Sequence, residues 1–333
     1  PPHHSSAASD VYKRQLFFLT GFPQDKVHVQ SIYCELFLKE EQRSIDADDL
    51  LTLPESAGQT GTQSAATHGN QPVLIMIEGK AGSGKTTLLT HFISEWLKDP
   101  KDCKVKHLTN YEIVLRILCR DKDGPSLEVY LTESLPDCFA LIPEHLVTLL
   151  SDCKVLFLVD GLDEVSQGSD TDNLIKDILK HSEKQGKFTI VCTSRPETAN
   201  NFWEGIKPNI YQQWRLEIEG VKPENRTEFV LKFYDTLPST TNNRGRDGLR
   251  EIMAKVKHQQ IFELPLNLLF VAALFYLEPE CVKTTTQAGL YLTIHEWCVE
   301  KLDVRLVQRP DVERYEIEPV SYTHLTLPTS GGV

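Results

Sequence analysis

Val73, Leu74, Ile75, Met76 and Ile77 run through Glu78 into Gly79-Lys80-Ala81-Gly82-Ser83-Gly84-Lys85-Thr86. The apolar run reads as a strand covered on both faces. The octapeptide behind it fits the phosphate-cradling pattern G-x-x-x-x-G-K-[ST]. Its glycines let the backbone curl so that successive N–H groups converge on phosphate oxygens. Lys85 is expected to reach the β and γ groups, and Thr86 to offer its hydroxyl to Mg2+. From Thr87 to Lys98, the residues Leu88, Leu89, Phe92, Ile93, Trp96 and Leu97 recur at helical spacing, and a helix starting here would add its positive dipole end. A chance glycine turn would need neither the strand before it nor the helix after it. Gly79, Lys80, Ala81, Gly82, Ser83, Gly84, Lys85, Thr86 and Thr87 are therefore the candidate phosphate-binding residues, with Thr86 also a candidate metal ligand.

A second apolar run, Val155 to Val159, ends in Asp160-Gly161-Leu162-Asp163-Glu164. Ligands of open α/β sheets bind at the carboxyl ends of strands. Asp160 is thus placed to hold the metal directly or through water, and Asp163 or Glu164 to orient or deprotonate an attacking water. The competing reading is an acidic turn that caps a helix. A third run, Phe188 to Thr193, leads through Ser194 to Arg195 and Pro196, so that Arg195 can sense a γ-phosphate. A solvated arginine at a strand end is the plainer alternative.

Taken together, GKAGSGKTT, LFLVDGLDE and CTSRP resemble the core of the NACHT signalling NTPases, the P-loop branch that includes NOD-like receptors. The discriminating letters are Asp160, Gly161, Asp163 and Glu164. Trp214 to Gly220 and a helix from about Pro223 to Tyr234 resemble the last core strand and the start of a small helical domain. Glu263-Leu264-Pro265-Leu266 resembles that domain's proline motif, and Ser31 to Phe37 the segment preceding the core. The resemblance implies that Pro265 lies against the nucleotide base, although proline also suits any first helical turn. It implies an ATP/ADP-binding switch with Mg2+, slow hydrolysis, self-association and signalling adaptor partners. It further implies a winged-helix domain, whose nucleotide-contacting histidine is not assigned to His295.

The expected fold is α/β: a P-loop NTPase parallel sheet flanked by helices, followed by a small all-α helical domain. Apolar runs alternate with helical stretches at Tyr111 to Leu118, near Pro143 to Leu150, near Asp172 to Gln185 and at Arg215 to Ile218, as right-handed crossovers require. The expected divisions are a pre-core segment over 16–54, a flexible linker over 55–71, a nucleotide-binding domain over 72–220 and a helical domain over 221–318. Pro238 to Gly248 reads as an exposed loop, followed by helices over Leu249 to Lys257, Leu266 to Tyr276 and Leu290 to Val304.

The two ends carry a different signature. Asp10 to Gln15 can be encoded by GAT GTG TAT AAG AGA CAG, and Val320 to Leu325 by GTC TCT TAT ACA CAT CTN, which are reverse complements over their shared length. They match a transposon end used in sequencing libraries. Residues 1–15 and 319–333 are therefore expected to be translated adapter, and 16–318 an internal fragment. Sequencing the source transcript across both junctions checks this, and uninterrupted native coding sequence would refute it.

A net charge of −12 with no long basic stripe argues against nucleic acid as an electrostatically driven partner. No apolar stretch approaches a membrane span. Eight cysteines without a C-x-x-C pair suggest reduced thiols and a cytoplasmic setting. Two functions stand against each other: a nucleotide switch, and a conventional ATPase, GTPase or kinase that turns over a substrate. Helix-rich sequence after the core favours the switch. No guanine-reading Asn-Lys-x-Asp motif is visible, and Leu-Ser-Gly-Gly is absent.

Overall fold

The computed structural model describes residues 37–40, 43–54, 71–120, 124–134, 146–150, 152–185, 187–206, 210–237, 243–256 and 258–277, with isolated positions at 289, 291, 292 and 295. Its strands are β1 (Phe37–Glu40), β2 (Arg43–Asp46), β3 (Val73–Glu78), β4 (Ile113–Leu118), β5 (Val155–Asp160), β6 (Phe188–Ser194) and β7 (Gln212–Gly220). The helices are α1 (Lys85–Trp96), α2 (Leu127–Ser134), α3 (Leu146–Leu150), α4 (Asp170–Gln185), α5 (Pro196–Glu204), α6 (Pro223–Tyr234), α7 (Asn243–Val256) and α8 (Pro265–Leu277).

The strands form one sheet in the order β2-β1-β7-β3-β6-β5-β4. β3 pairs in parallel with both β6 and β7, β5 with β6, and β4 with β5. The three central strands, β3, β6 and β5, are buried at every position. Their predominantly apolar sequences are what a doubly covered parallel strand demands. One face packs on α1 through Leu88, Leu89 and Phe92, together with the short 3-10 turn Ala47–Thr52. The opposite face packs on α2, α4 and α5 through residues such as Leu131, Leu174, Ile178 and Ala199.

The parallel expectation holds for the five core strands and needs correction at one edge. β1 runs antiparallel to β7 and to β2. Two residues separate β1 from β2, too few for a parallel crossover, so the pair forms a hairpin that extends the sheet beyond β7.

After β7 the chain turns helical, and α6, α7 and α8 share a separate apolar cluster built on Phe229, Phe233, Met253 and Phe275. The helix expected over Pro223 to Tyr234 lies there. The loop expected over Pro238 to Gly248 does not extend so far, because α7 already begins at Asn243. Its glycines serve packing, not turning. A Cβ on Gly245 would lie 2.5 Å from the Tyr234 hydroxyl, and one on Gly248 3.1 Å from Cζ of Phe275. Helices α2 and α5 were not read from the sequence. The linker expected over 55–71 lies outside the described residues except at Gln71, as do 1–15, 319–333 and most of the helix expected at Leu290 to Val304.

Arg226 stitches the helical region to the end of the sheet. It is 2 % exposed, and it donates from Nε to the Val221 carbonyl at 2.7 Å and from Nη1 to the Gln259 carbonyl at 3.0 Å. Beside it, Val221 N–H donates to the Glu263 carbonyl at 2.8 Å. Among the described residues no helix is long and apolar enough to cross a membrane.

Candidate nucleotide-binding site

The loop Gly79 to Gly84 links β3 to α1, and two of its residues sit in the left-handed region: Gly82 at φ +77° and Gly84 at φ +98°. Side chains are strained there, which explains why the pattern fixes glycine at position 84 and why this chain also carries one at position 82. Gly79 N–H donates to the Ser194 carbonyl at 3.2 Å, so the loop is anchored to the end of β6. Lys85 folds back over it, its Nζ 2.6 Å from the Gly79 carbonyl and 3.0 Å from that of Lys80. Burial pushes the Lys85 ammonium below its ordinary pKa, against the pull of Asp163, Asp160 and Glu164. Thr87 lies in the first turn of α1 and Ser83 in the loop before it, where the Ser83 hydroxyl is buried without a partner among the described residues.

Asp160, at the carboxyl end of β5, is 7 % exposed. Its Oδ1 accepts the hydroxyl of Thr86 at 3.0 Å and that of Thr193 at 3.2 Å. The Thr193 oxygen in turn accepts Gly161 N–H at 3.0 Å. Hydroxyls from two elements, α1 and β6, thus converge on one carboxylate. The donor set, a hydroxyl beside a carboxylate, is hard oxygen and fits Mg2+, which takes its remaining ligands from water and phosphate. Among the described residues no group of three His, Cys, Asp or Glu side chains gathers to hold a metal unaided.

The two other carboxylates separate by environment. Asp163 is engaged: Arg195 places Nε 2.8 Å from its Oδ2 and donates its backbone N–H to Oδ1 at 3.2 Å. Glu164 follows the left-handed Gly161, and its N–H closes a turn on the Gly161 carbonyl at 2.9 Å. Partial desolvation raises the Glu164 carboxyl above its ordinary range; Asp163 and Asp160 add to the rise, and Arg120 and Arg195 oppose it. A raised carboxylate is the better proton acceptor near neutrality. Arg195 is 57 % exposed at its side chain and reaches solvent beside the loop.

The proline motif comes to the same place. Pro265 is buried at the start of α8, and Leu266 N–H donates to the Gly82 carbonyl at 3.3 Å. A Cβ on Gly82 would lie 2.9 Å from Cβ of Leu266. The helical region therefore rests directly on the phosphate loop.

One residue of the site escaped the sequence reading. Arg116, on β4, donates from Nη2 to Oδ2 of Asp160 at 2.8 Å. Its signal was available as a lone cation inside Ile113-Val114-Leu115-Arg116-Ile117-Leu118.

The NACHT domain family model matches residues 73–236, from the first residue of β3 to just past α6. The chain carries a NACHT domain. It is 28 % identical over 232 residues to NLR family CARD domain-containing protein 4 of Xenopus tropicalis, covering 68 % of this chain and 21 % of that protein. It is 25 % identical over 180 residues to human NACHT, LRR and PYD domains-containing protein 7, covering 49 % of this chain and 17 % of the relative. The chain thus spans about a fifth of these curated relatives. Among solved structures, the Aeropyrum pernix ORC2 protein in ADPNP–ADP complexes aligns at TM-score 0.43 and 13 % identity, covering 80 % of this chain and 72 % of that one. Domain III of Thermotoga maritima DnaA aligns at TM-score 0.34 and 12 % identity, covering 74 % and 90 %. The fold of this NACHT chain is the α/β P-loop NTPase fold, and the family is one of nucleotide-binding proteins.

Proposed function

We propose that this NACHT chain is the adenine-nucleotide switch core of a NOD-like-receptor-type signalling protein of the cytoplasm. In this reading residues 72–220 bind ADP or Mg2+-ATP, residues 221–318 respond, and exchange of ADP for ATP drives self-association and recruitment of adaptor proteins. Hydrolysis is slow and resets the switch. One observation carries the reading: the loop that would hold the phosphates is tied to Asp160 through Thr86 and to α8 through Leu266. A change at the phosphates is thereby mechanically adjacent to the helical region. Nucleotide can move such an equilibrium only through different affinities for its two states. Titrating labelled ATP, ADP and GTP with Mg2+, and following mass by light scattering, tests it. Fast turnover by a monomer would favour a conventional enzyme instead.

In this scheme Lys85 and the loop amides hold phosphate, Thr86 and Asp160 hold Mg2+, Glu164 accepts the proton of water, and Arg195 faces the γ-phosphate. Glu164→Gln is expected to leave binding intact and slow hydrolysis by roughly 10²–10⁴-fold. Because the base must be ionised and its pKa is raised, the acidic limb of the parent's rate profile should lie above the ordinary carboxylate range. That limb should vanish in the variant. Equal single-turnover rates in mutant and parent would exclude Glu164 as the base.

Arg195→Ala is expected to lower ATP affinity about tenfold or more while leaving ADP affinity within about twofold, since a charge-assisted hydrogen bond contributes about 1.5–3 kcal/mol. Parallel losses for both nucleotides would assign Arg195 to holding Asp163 alone.

A further inference from the structure

The strand β4 places an arginine where its neighbours are apolar. Arg116 shares its face of the sheet with Val114 and with Leu156 and Leu158 of β5, the face that packs on α1. Its side chain is 12 % exposed and that of Asp160 6 %. A guanidinium so deeply placed requires a compensating anion. It finds one: Nη2 lies 2.8 Å from Oδ2 of Asp160, while Oδ1 is taken by the hydroxyls of Thr86 and Thr193. Arg116 Nε is buried without a partner among the described residues. The pair is therefore held by charge more than by a full set of hydrogen bonds.

We infer that Arg116 is a built-in counter-ion for Asp160 that stands in for the divalent cation, making diphosphate binding by this chain only weakly dependent on metal. This rests on the nucleotide reading above. Without Arg116, a metal-free Asp160 would confront the incoming phosphates with an uncompensated buried negative charge. With Arg116, that charge is neutralised before any cation arrives. The same guanidinium opposes a dication at Thr86 and Asp160, because like charges interact strongly where water is excluded. Arg116 thus positions and neutralises Asp160 and sets how much Mg2+ the site needs.

The test compares the dissociation constant of labelled ADP in EDTA with that in Mg2+, for the full chain. The ratio of the two should be at least about tenfold larger in Arg116→Gln than in the parent, as coupling between close buried charges implies. Mn2+ binding to the ADP complex, followed by its paramagnetic resonance signal, should tighten by about the same factor. Arg116→Lys, which keeps the charge, should restore most of the parent's behaviour in both. Intact ADP binding with an unchanged ratio would overturn this inference alone, whereas a folded parent that binds no nucleotide would overturn the switch reading. Thermal unfolding stands apart from both. Arg116→Gln should lower the midpoint in EDTA, and adding Asp160→Asn should recover it by removing the stranded charge. A double variant no more stable than the single one would refute the pairing.

Discussion

Lys85→Ala is expected to weaken nucleotide binding by roughly 10²–10⁴-fold, since two charge-assisted hydrogen bonds of about 1.5–3 kcal/mol each are lost. In the structure the ammonium donates to the carbonyls of Gly79 and Lys80, which belong to two consecutive peptides of the loop. Bound phosphates would take over those hydrogen bonds as stronger acceptors. Burial lowers the Lys85 pKa, whereas Asp163, Asp160 and Glu164 work to keep it charged. Alanine leaves two carbonyls without a donor and the phosphates without their cation. Anisotropy titration with labelled ADP and ATP measures the loss, and circular dichroism checks that the fold persists. Affinity kept within about threefold would rule out the phosphate role of Lys85.

Gly220→Ala is expected to destabilise the chain by about 2–5 kcal/mol, combining left-handed strain of about 1–2 kcal/mol with an overpacking term of about 1–3 kcal/mol. Gly220 closes β7 at φ +81°, and a Cβ there would lie 2.4 Å from the Glu263 carbonyl oxygen and 3.1 Å from its carbon. Both atoms are backbone, so neither can swing aside as a side chain would. The same carbonyl accepts Val221 N–H, and relieving the clash pulls apart the junction that Arg226 stitches. The melting midpoint should fall by on the order of 5 °C or more. A fall of less than about 1 °C would show that the junction has slack.

Much of this architecture is written in local pattern. The strands β3, β5 and β6 are predominantly apolar runs that lead to Gly79, Asp160 and Arg195, and the two motifs and the arginine meet because the sheet sets those three carboxyl ends side by side. What escaped the sequence depends on contacts distant in the chain. The hairpin β1–β2 has four residues per strand, too few for a period to declare itself, and its position is decided by pairing with β7. Gly245 and Gly248 look like turn residues until Tyr234 and Phe275 are seen against them. The roles of Asp163 and Glu164 cannot be divided from their adjacency. The division appears only when Arg195 closes on Asp163 and leaves Glu164 partly desolvated beside it. Arg116 acquires meaning only through register, since Leu118 lies opposite Asp160 and places Arg116 one pleat below.

The pairing of β1 with β7 also fixes an order of events during synthesis. Ser44 on the hairpin donates its hydroxyl to Glu219 across a separation of 175 residues. A ribosome adding about 5–20 residues per second needs roughly 10–35 s to cover that interval. Through all of it the strand that pairs with β1 has yet to be made. The β1 edge that β7 later covers stays unpaired over that interval, and translation pauses before β7 should lengthen it, whereas pauses after β7 should not.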